Sequence, residues 1–205
     1  MNNELNLKLF DFIASSPTAF HTVSTTAAML RAAGYRELCE SDEWHPEPDV
    51  GYFTTRNGSS LIAFRYPADD FCGYMMTAAH GDSPAFKIKE NSELDGRDYV
   101  RFSTEKYGGM LMAPWFDRPL SIAGRVLVDT ENGIETRLVN IDRDLLIIPN
   151  LAIHMNRAAN DGVKLLANVD TLPLLGSIEN RGCFLKLLSE AAVCGAEQIL
   201  GHDLT

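Results

Sequence analysis

Apolar residues recur at helical spacing at the start of the chain, and at alternate or consecutive positions further on. Residues 4–15 place Leu5, Leu9, Phe12 and Ile13 on one side, predicting a short amphipathic helix that ends at Ser15-Ser16-Pro17. A second helix is expected from the capping residue Thr18 through Phe20, Val23, Ala27 and Leu30, with Gly34 placed to stop it. After the polar, Pro-containing stretch 41–49 the period changes to two. Residues 52–55 and 61–66 read as a hairpin around Asn57-Gly58, a pair that suits the positive φ angles of a tight turn. Residues 73–79 (GYMMTAA) form a continuous small and apolar run, the signature of a strand buried on both faces, and the run ends at His80.

A charged, turn-forming stretch, 89–98, reads as a linker. Beyond it the texture is β: short β-branched segments are expected over 99–104, 125–129, 134–139 and 145–148, with Glu131-Asn132-Gly133 as a hairpin turn. Phe184, Leu187, Leu188 and Ala191 predict a closing helix that Gly195 would end. There is no internal repeat and no low-complexity tract. The expected fold class is α/β, with an α/β part over residues 1–90 and a β-rich unit closed by a helix over residues 91–205.

Composition narrows the function classes. The chain has 205 residues, 45% of them hydrophobic, and 18 Lys+Arg against 28 Asp+Glu give a net charge of −10. A chain of this size buries roughly 70% of its unfolded surface and needs no disulfides to fold. The acidic balance argues against nucleic acid and against an anionic membrane surface as partners, but a locally basic pocket for an anionic substrate remains open. Cys39, Cys72, Cys183 and Cys194 are scattered without CxxC spacing and read as reduced, mostly buried thiols. The amino terminus has no basic leader and no apolar run reaches membrane-spanning length, so a cytoplasmic location is expected.

The sharpest chemical feature is Thr77-Ala78-Ala79-His80-Gly81-Asp82-Ser83-Pro84. At the carboxyl end of a buried parallel strand, side chains emerge where open α/β sheets place ligands. His80 could then bind a metal through one ring nitrogen while Asp82 accepts the other N–H and orients the ring. The same spacing also suits a histidine that ends a strand and bonds a turn. His154, inside residues 148–157 (IPNLAIHMNR), reads on the same footing as either a satisfied core residue or a functional one. His21, His45 and His202 have no partner at ligand spacing. Residues 107–126 are dense in glycines and aromatics. They suit either packing, with Asp117 and Arg118 as a local ion pair, or an oligomer interface beside a site. No nucleophile elbow, Walker loop or dinucleotide fingerprint is present.

Taken together and in order, these segments resemble one family, the M18 metallopeptidases or aspartyl aminopeptidases. His80-Gly81-Asp82-Ser83-Pro84 is similar to the family's His-Thr-Asp-Ser-Pro. Tyr107-Gly108-Gly109, Trp115-Phe116-Asp117-Arg118 and Ala123-Gly124-Arg125-Val126 resemble its central block. Residues 148–154 resemble its third block and residues 16–21 (SPTAFH) its opening helix, so the resemblance runs over essentially the whole chain. It implies part of a zinc-peptidase α/β sandwich domain joined to a β-rich dimerisation domain, and a cocatalytic enzyme with two zinc ions in each complete site. Such an enzyme removes amino-terminal Asp or Glu from a peptide substrate. His80 would be a metal ligand, Asp82 the residue that orients it, and His154 a catalytic residue reaching bound substrate, in the neighbouring subunit's site. The family assembles from dimers into homo-oligomeric dodecamers.

The sequence departs from the family pattern at Gly81, Lys106, residues 112–114 and Pro119. It contains no Leu-Asp-Asn motif and no Glu-Glu dipeptide, which in the family carry the bridging ligand and the general base. A zinc site needs three or four protein ligands. The expectation is therefore an amino-terminal portion, inactive by itself, with exposed edges and apolar faces that promote self-association. The alternative is a non-catalytic oligomerisation or interaction module derived from such a peptidase.

Overall fold

The structure is a computed structural model and describes residues 3–68 and 71–205. It divides into two compact units, one up to Ser83 and one from Pro84 to Thr205. The first unit holds α1 (Asn3–Ala14), α2 (Ala19–Ala32), β1 (Arg36–Glu37), β2 (Gly51–Arg56) and β3 (Ser60–Arg65). β1 runs parallel to β2, and β2 pairs antiparallel with β3. Asn57 and Gly58 both take positive φ, 53° and 62°, and the Ser59 N–H donates to the Arg56 carbonyl to close the turn. Val23 and Ala27 of α2 and Tyr52, Phe53 and Thr54 of β2 are buried, so β2 is covered on both faces. The Arg31 guanidinium lies over the Phe53 ring, 5.4 Å from its centre.

The second unit is built on β4 (Ala85–Asp95), β5 (Tyr99–Tyr107), β6 (Pro119–Thr130), β7 (Gly133–Ile147), β8 (Leu174–Ser177) and β9 (Ile199–Leu204). These form one sheet in the order β4-β5-β8-β7-β6-β9, with antiparallel neighbours throughout. An ion pair of 2.8 Å, Lys87 to Asp203, links the two edge strands. A short α3 (Ala167–Asp170) precedes β8, and α4 (Cys183–Ala192) packs Phe184, Leu188 and Ala192 onto the sheet. They meet Ile88, Phe102, Ile122, Val126, Val139 and Leu204. Burying alternate strand residues on one face and one stripe of α4 explains why the apolar pattern has period two, then period three to four. The Glu93 carboxylate accepts the Gly182 and Phe184 amides at 2.8 and 3.3 Å, satisfying donors at the start of α4. Gly124 sits where β6 and β9 approach most closely: a Cβ there would meet the Asp203 carbonyl oxygen and lie 2.8 Å from Leu204 Cα.

Several expectations need correction. Residues 73–79 form no strand; they are exposed, with Tyr74, Met75 and Met76 at 78, 104 and 89%. A strand exists only through hydrogen-bonding neighbours, and none of the described residues pairs with this run. Helix α1 forms as expected, but Leu5, Leu9, Phe10 and Ile13 all remain more than half exposed. The supposed linker 89–98 is mostly strand: β4 runs to Asp95 through a bulge between Ile88 and Glu93, which admits polar residues without breaking the ladder. Residues 134–139 and 145–148 belong to one continuous stretch, nearly all of it β7. α4 ends at Val193, in the left-handed conformation (φ 54°), two residues before Gly195. The four thiols are free, yet Cys39 and Cys72 are exposed and Cys183 and Cys194 only partly buried, Cys194 against the core of the second unit.

Candidate functional site

His80 and Asp82 follow the exposed run of the first unit. His80 Nδ1 lies 3.1 Å from Asp82 Oδ1, so Nδ1–H donates to the carboxylate and Nε2 stays available. The His80 side chain is 93% exposed, whereas Asp82 is 32% exposed. Gly81 between them comes close to the first turn of α2, where a Cβ would lie 3.6 Å from the Thr22 methyl. That turn is itself ordered: the Thr18 hydroxyl and His21 Nδ1 are 2.8 Å apart, and the Thr22 hydroxyl donates to the Thr18 carbonyl. Partial burial holds the His21 imidazole below its ordinary pKa, favouring the neutral ring. The segment 16–21 thus starts α2 with its own hydrogen bonds, and the next residue, Thr22, is the one that Gly81 approaches.

In the second unit, the central and third blocks are tied together by Asp117. Its Oδ1 accepts the Asn150 N–H at 2.9 Å, and its own N–H donates to the Ile148 carbonyl at 3.0 Å. Asp117 adopts φ +57°, a conformation that Asp tolerates better than most residues. Arg118 donates instead to the Pro114 carbonyl, at 3.4 Å, and no Asp117–Arg118 ion pair forms among the described residues. Trp115 packs edge-on against Phe86, the packing role expected of it. Past Asn150 the chain makes a turn in which the Ala152 carbonyl accepts the Met155 and Asn156 amides. His154 lies on that turn and is exposed, as are Leu151, Ile153 and Met155, so the core alternative for His154 fails. Ile148 at the start of the run is core, but the apolar residues from Leu151 to Met155 are surface.

His80 and Asp82 are thus brought together, within the first unit, and His154 belongs to the second. Among the described residues no group of three or more His, Cys, Asp or Glu side chains is placed to hold a metal. His80 with Asp82 fits one zinc ligand and its orienting carboxylate, and further donors are required. In the sequence Asp117 reads as half of an ion pair or as a residue lining the rim of a site. Its actual work, holding the base of the His154 segment, could have been suspected from the preference of Asp for left-handed turns. None of the described helices is long and apolar enough to cross a membrane.

Comparison with known proteins gives the family of the chain. The family model for aminopeptidase I zinc metalloprotease (M18) matches residues 12–201. A probable M18 family aminopeptidase 2 of Clostridium novyi is 41% identical over all of this chain and 50% of its own length. A protein of the same description from Pseudomonas paraeruginosa is 44% identical over 87% of this chain and 42% of its own. The chain thus spans about half the length of the curated relatives it matches. A solved structure, described as a cryo-EM structure of the Ape4 and Nbr1 complex, superposes with a TM-score of 0.89 at 34% identity, covering 97% of this chain and 42% of the other. The chain belongs to the M18 family of aminopeptidase I zinc metalloproteases.

Proposed function

We propose that this chain supplies the amino-terminal part of a zinc-dependent aminopeptidase that removes amino-terminal Asp or Glu from peptides. The observation that carries the reading is the His80–Asp82 pair, with one ring nitrogen engaged and the other open, in a chain of this family. Bound zinc supplies Lewis-acid polarisation of the scissile carbonyl and a water of lowered pKa. His80 contributes one ligand to it, and Asp82 fixes the tautomer and direction of that imidazole. His154, displayed on its turn, is suited to donate a hydrogen bond to substrate or to the tetrahedral oxyanion. Remaining metal ligands and the general base come from polypeptide outside these residues, and the chain by itself is inactive. Its exposed apolar residues support assembly as a homo-oligomer, from the dimer to the dodecamer of the resemblance.

The test is metal analysis after dialysis, combined with assays on Asp-, Glu- and Leu-terminal chromogenic substrates. Fewer than two tightly held zinc ions per chain and no turnover are expected for the chain alone. In an assembled enzyme that includes this chain, acidic substrates are cleaved preferentially and His80→Ala abolishes turnover. Two tightly held zinc ions on the chain alone would contradict the ligand assignment, and faster cleavage of the Leu substrate would contradict the acidic preference.

A further inference from the structure

The second unit contains a cleft of about 250 Å³ between β5, β8, α3 and the segment that begins at Pro149. Phe116, Val163, Val169 and Leu172 give it apolar walls. Two groups of opposite charge also line it, Arg101 from β5 and Asp170 from the end of α3. The Arg101 guanidinium makes no hydrogen bond or ion pair among the described residues, and the two charged groups do not pair with each other there. Asp170 is held in place: its Oδ2 accepts the Leu166 N–H at 2.7 Å, while Oδ1 has no such bond. Asn150 is fixed in a similar way, its Oδ1 taken by the Leu151 N–H, which leaves its amide NH₂ as a donor beside the cleft.

A cation and an anion in one small cleft would gain by pairing, yet they stay apart, and apolar surface lies around them. A ligand that fits this arrangement carries a carboxylate, an ammonium and an apolar side chain in one small body. We infer that this cleft binds a free, zwitterionic amino acid with a branched apolar side chain, its carboxylate on Arg101 and its ammonium on Asp170. Arg offers a planar fork that a carboxylate can accept bidentately, and the positioned Asp170 Oδ1 offers a charge-assisted acceptor. The cleft suits a single residue rather than a longer chain, being smaller than the roughly 300–1,000 Å³ usual for drug-sized ligands. A peptide presents only one of the two charges beside any given side chain, so it satisfies half of the site. The inference rests on these side chains alone and not on the peptidase reading.

Amide chemical shifts of the isotope-labelled full chain, titrated with L-leucine, test it. Saturable shifts are expected at Arg101, Val169 and Leu172, with leucinamide and N-acetyl-leucine each binding at least about tenfold more weakly, since each lacks one charge-assisted contact. Arg101→Gln, and Asp170→Asn, which keeps the acceptor for Leu166, each weaken L-leucine about tenfold while leaving the ligand-free spectrum intact elsewhere. No saturable shift, shifts mapping away from the cleft, or either analogue binding as tightly as L-leucine would overturn the inference. Equal binding of N-acetyl-leucine would identify a peptide carboxyl terminus as the ligand instead.

Discussion

Asp117 offers a quantitative test of how the His154 segment is held, because its side chain and its backbone make separable contributions. Asp117→Asn keeps an acceptor for the Asn150 N–H and a residue at ease at φ +57°, so the change in stability should stay within about 0.5 kcal/mol. Asp117→Gly keeps the backbone conformation but removes the acceptor. Asn150 is exposed and its amide can turn to water, so the loss lies at the low end for a hydrogen bond to a charged group, about 1 kcal/mol. Asp117→Ala loses the acceptor and also places in the left-handed region a residue without the short polar side chain that eases Asp there, adding about 1 kcal/mol for a total near 2. Urea unfolding followed by Trp115 fluorescence in a Trp44→Phe background reads the second unit, because Trp44 lies in the first. Midpoints should fall in the order Asn, Gly, Ala at constant slope. Hydrogen exchange gives the local readout: the Asn150 amide should exchange about fivefold faster for each kcal/mol lost. Equal midpoints for the Asn and Ala variants, or unchanged Asn150 protection in Asp117→Ala, would refute the reasoning.

Other consequences follow from the same packing. Gly124→Ala forces β6 from β9, since both obstructing groups are backbone, and should lower the stability of the second unit by about 3 kcal/mol, measured by urea denaturation. Val193→Gly should raise the melting temperature by removing a β-branched residue from the left-handed cap of α4, a gain of about 1 kcal/mol; a lower melting temperature counts against it. Burial holds His202 and His21 below the ordinary imidazole value of 6.5, so the unfolded chain binds more protons as pH falls. The stability they contribute is present above pH 6.5 and is lost as pH drops from there through their folded-state values; His202→Gln should flatten this dependence in pH-resolved melts. Replacing Leu9 and Phe10 by Gln and Ser on exposed α1 should reduce self-association in light scattering without moving the second unit's unfolding midpoint.

Much of the fold was legible in local signals. Asn57-Gly58 dictates a hairpin because few other pairs accept two successive positive φ angles, and the turn is found there. The α4 stripe was equally clear, since Phe184 and Leu188 must share a face. Signals of burial were read correctly as composition but not as place. Residues 73–79 have the makeup of a central strand, yet nothing among the described residues covers them, and Leu151, Ile153 and Met155 around His154 likewise lie at the surface. The strand in 89–98 was obscured because a bulge lets polar residues enter a ladder, a feature set by the facing strand.

By itself the sequence determined the family, both helices of the first unit, the hairpins, and the pairing of His80 with Asp82, since two-residue spacing keeps an imidazole and a carboxylate within reach. Only the tertiary structure decided that Asp117 anchors Asn150 33 positions away, that Glu93 serves the start of α4 89 positions on, and that Gly124 lies against β9. Local patterns encode what a residue does to its own backbone. Which distant amide meets a carboxylate depends on how strands register and close on one another, and that is settled by the packing of the whole sheet.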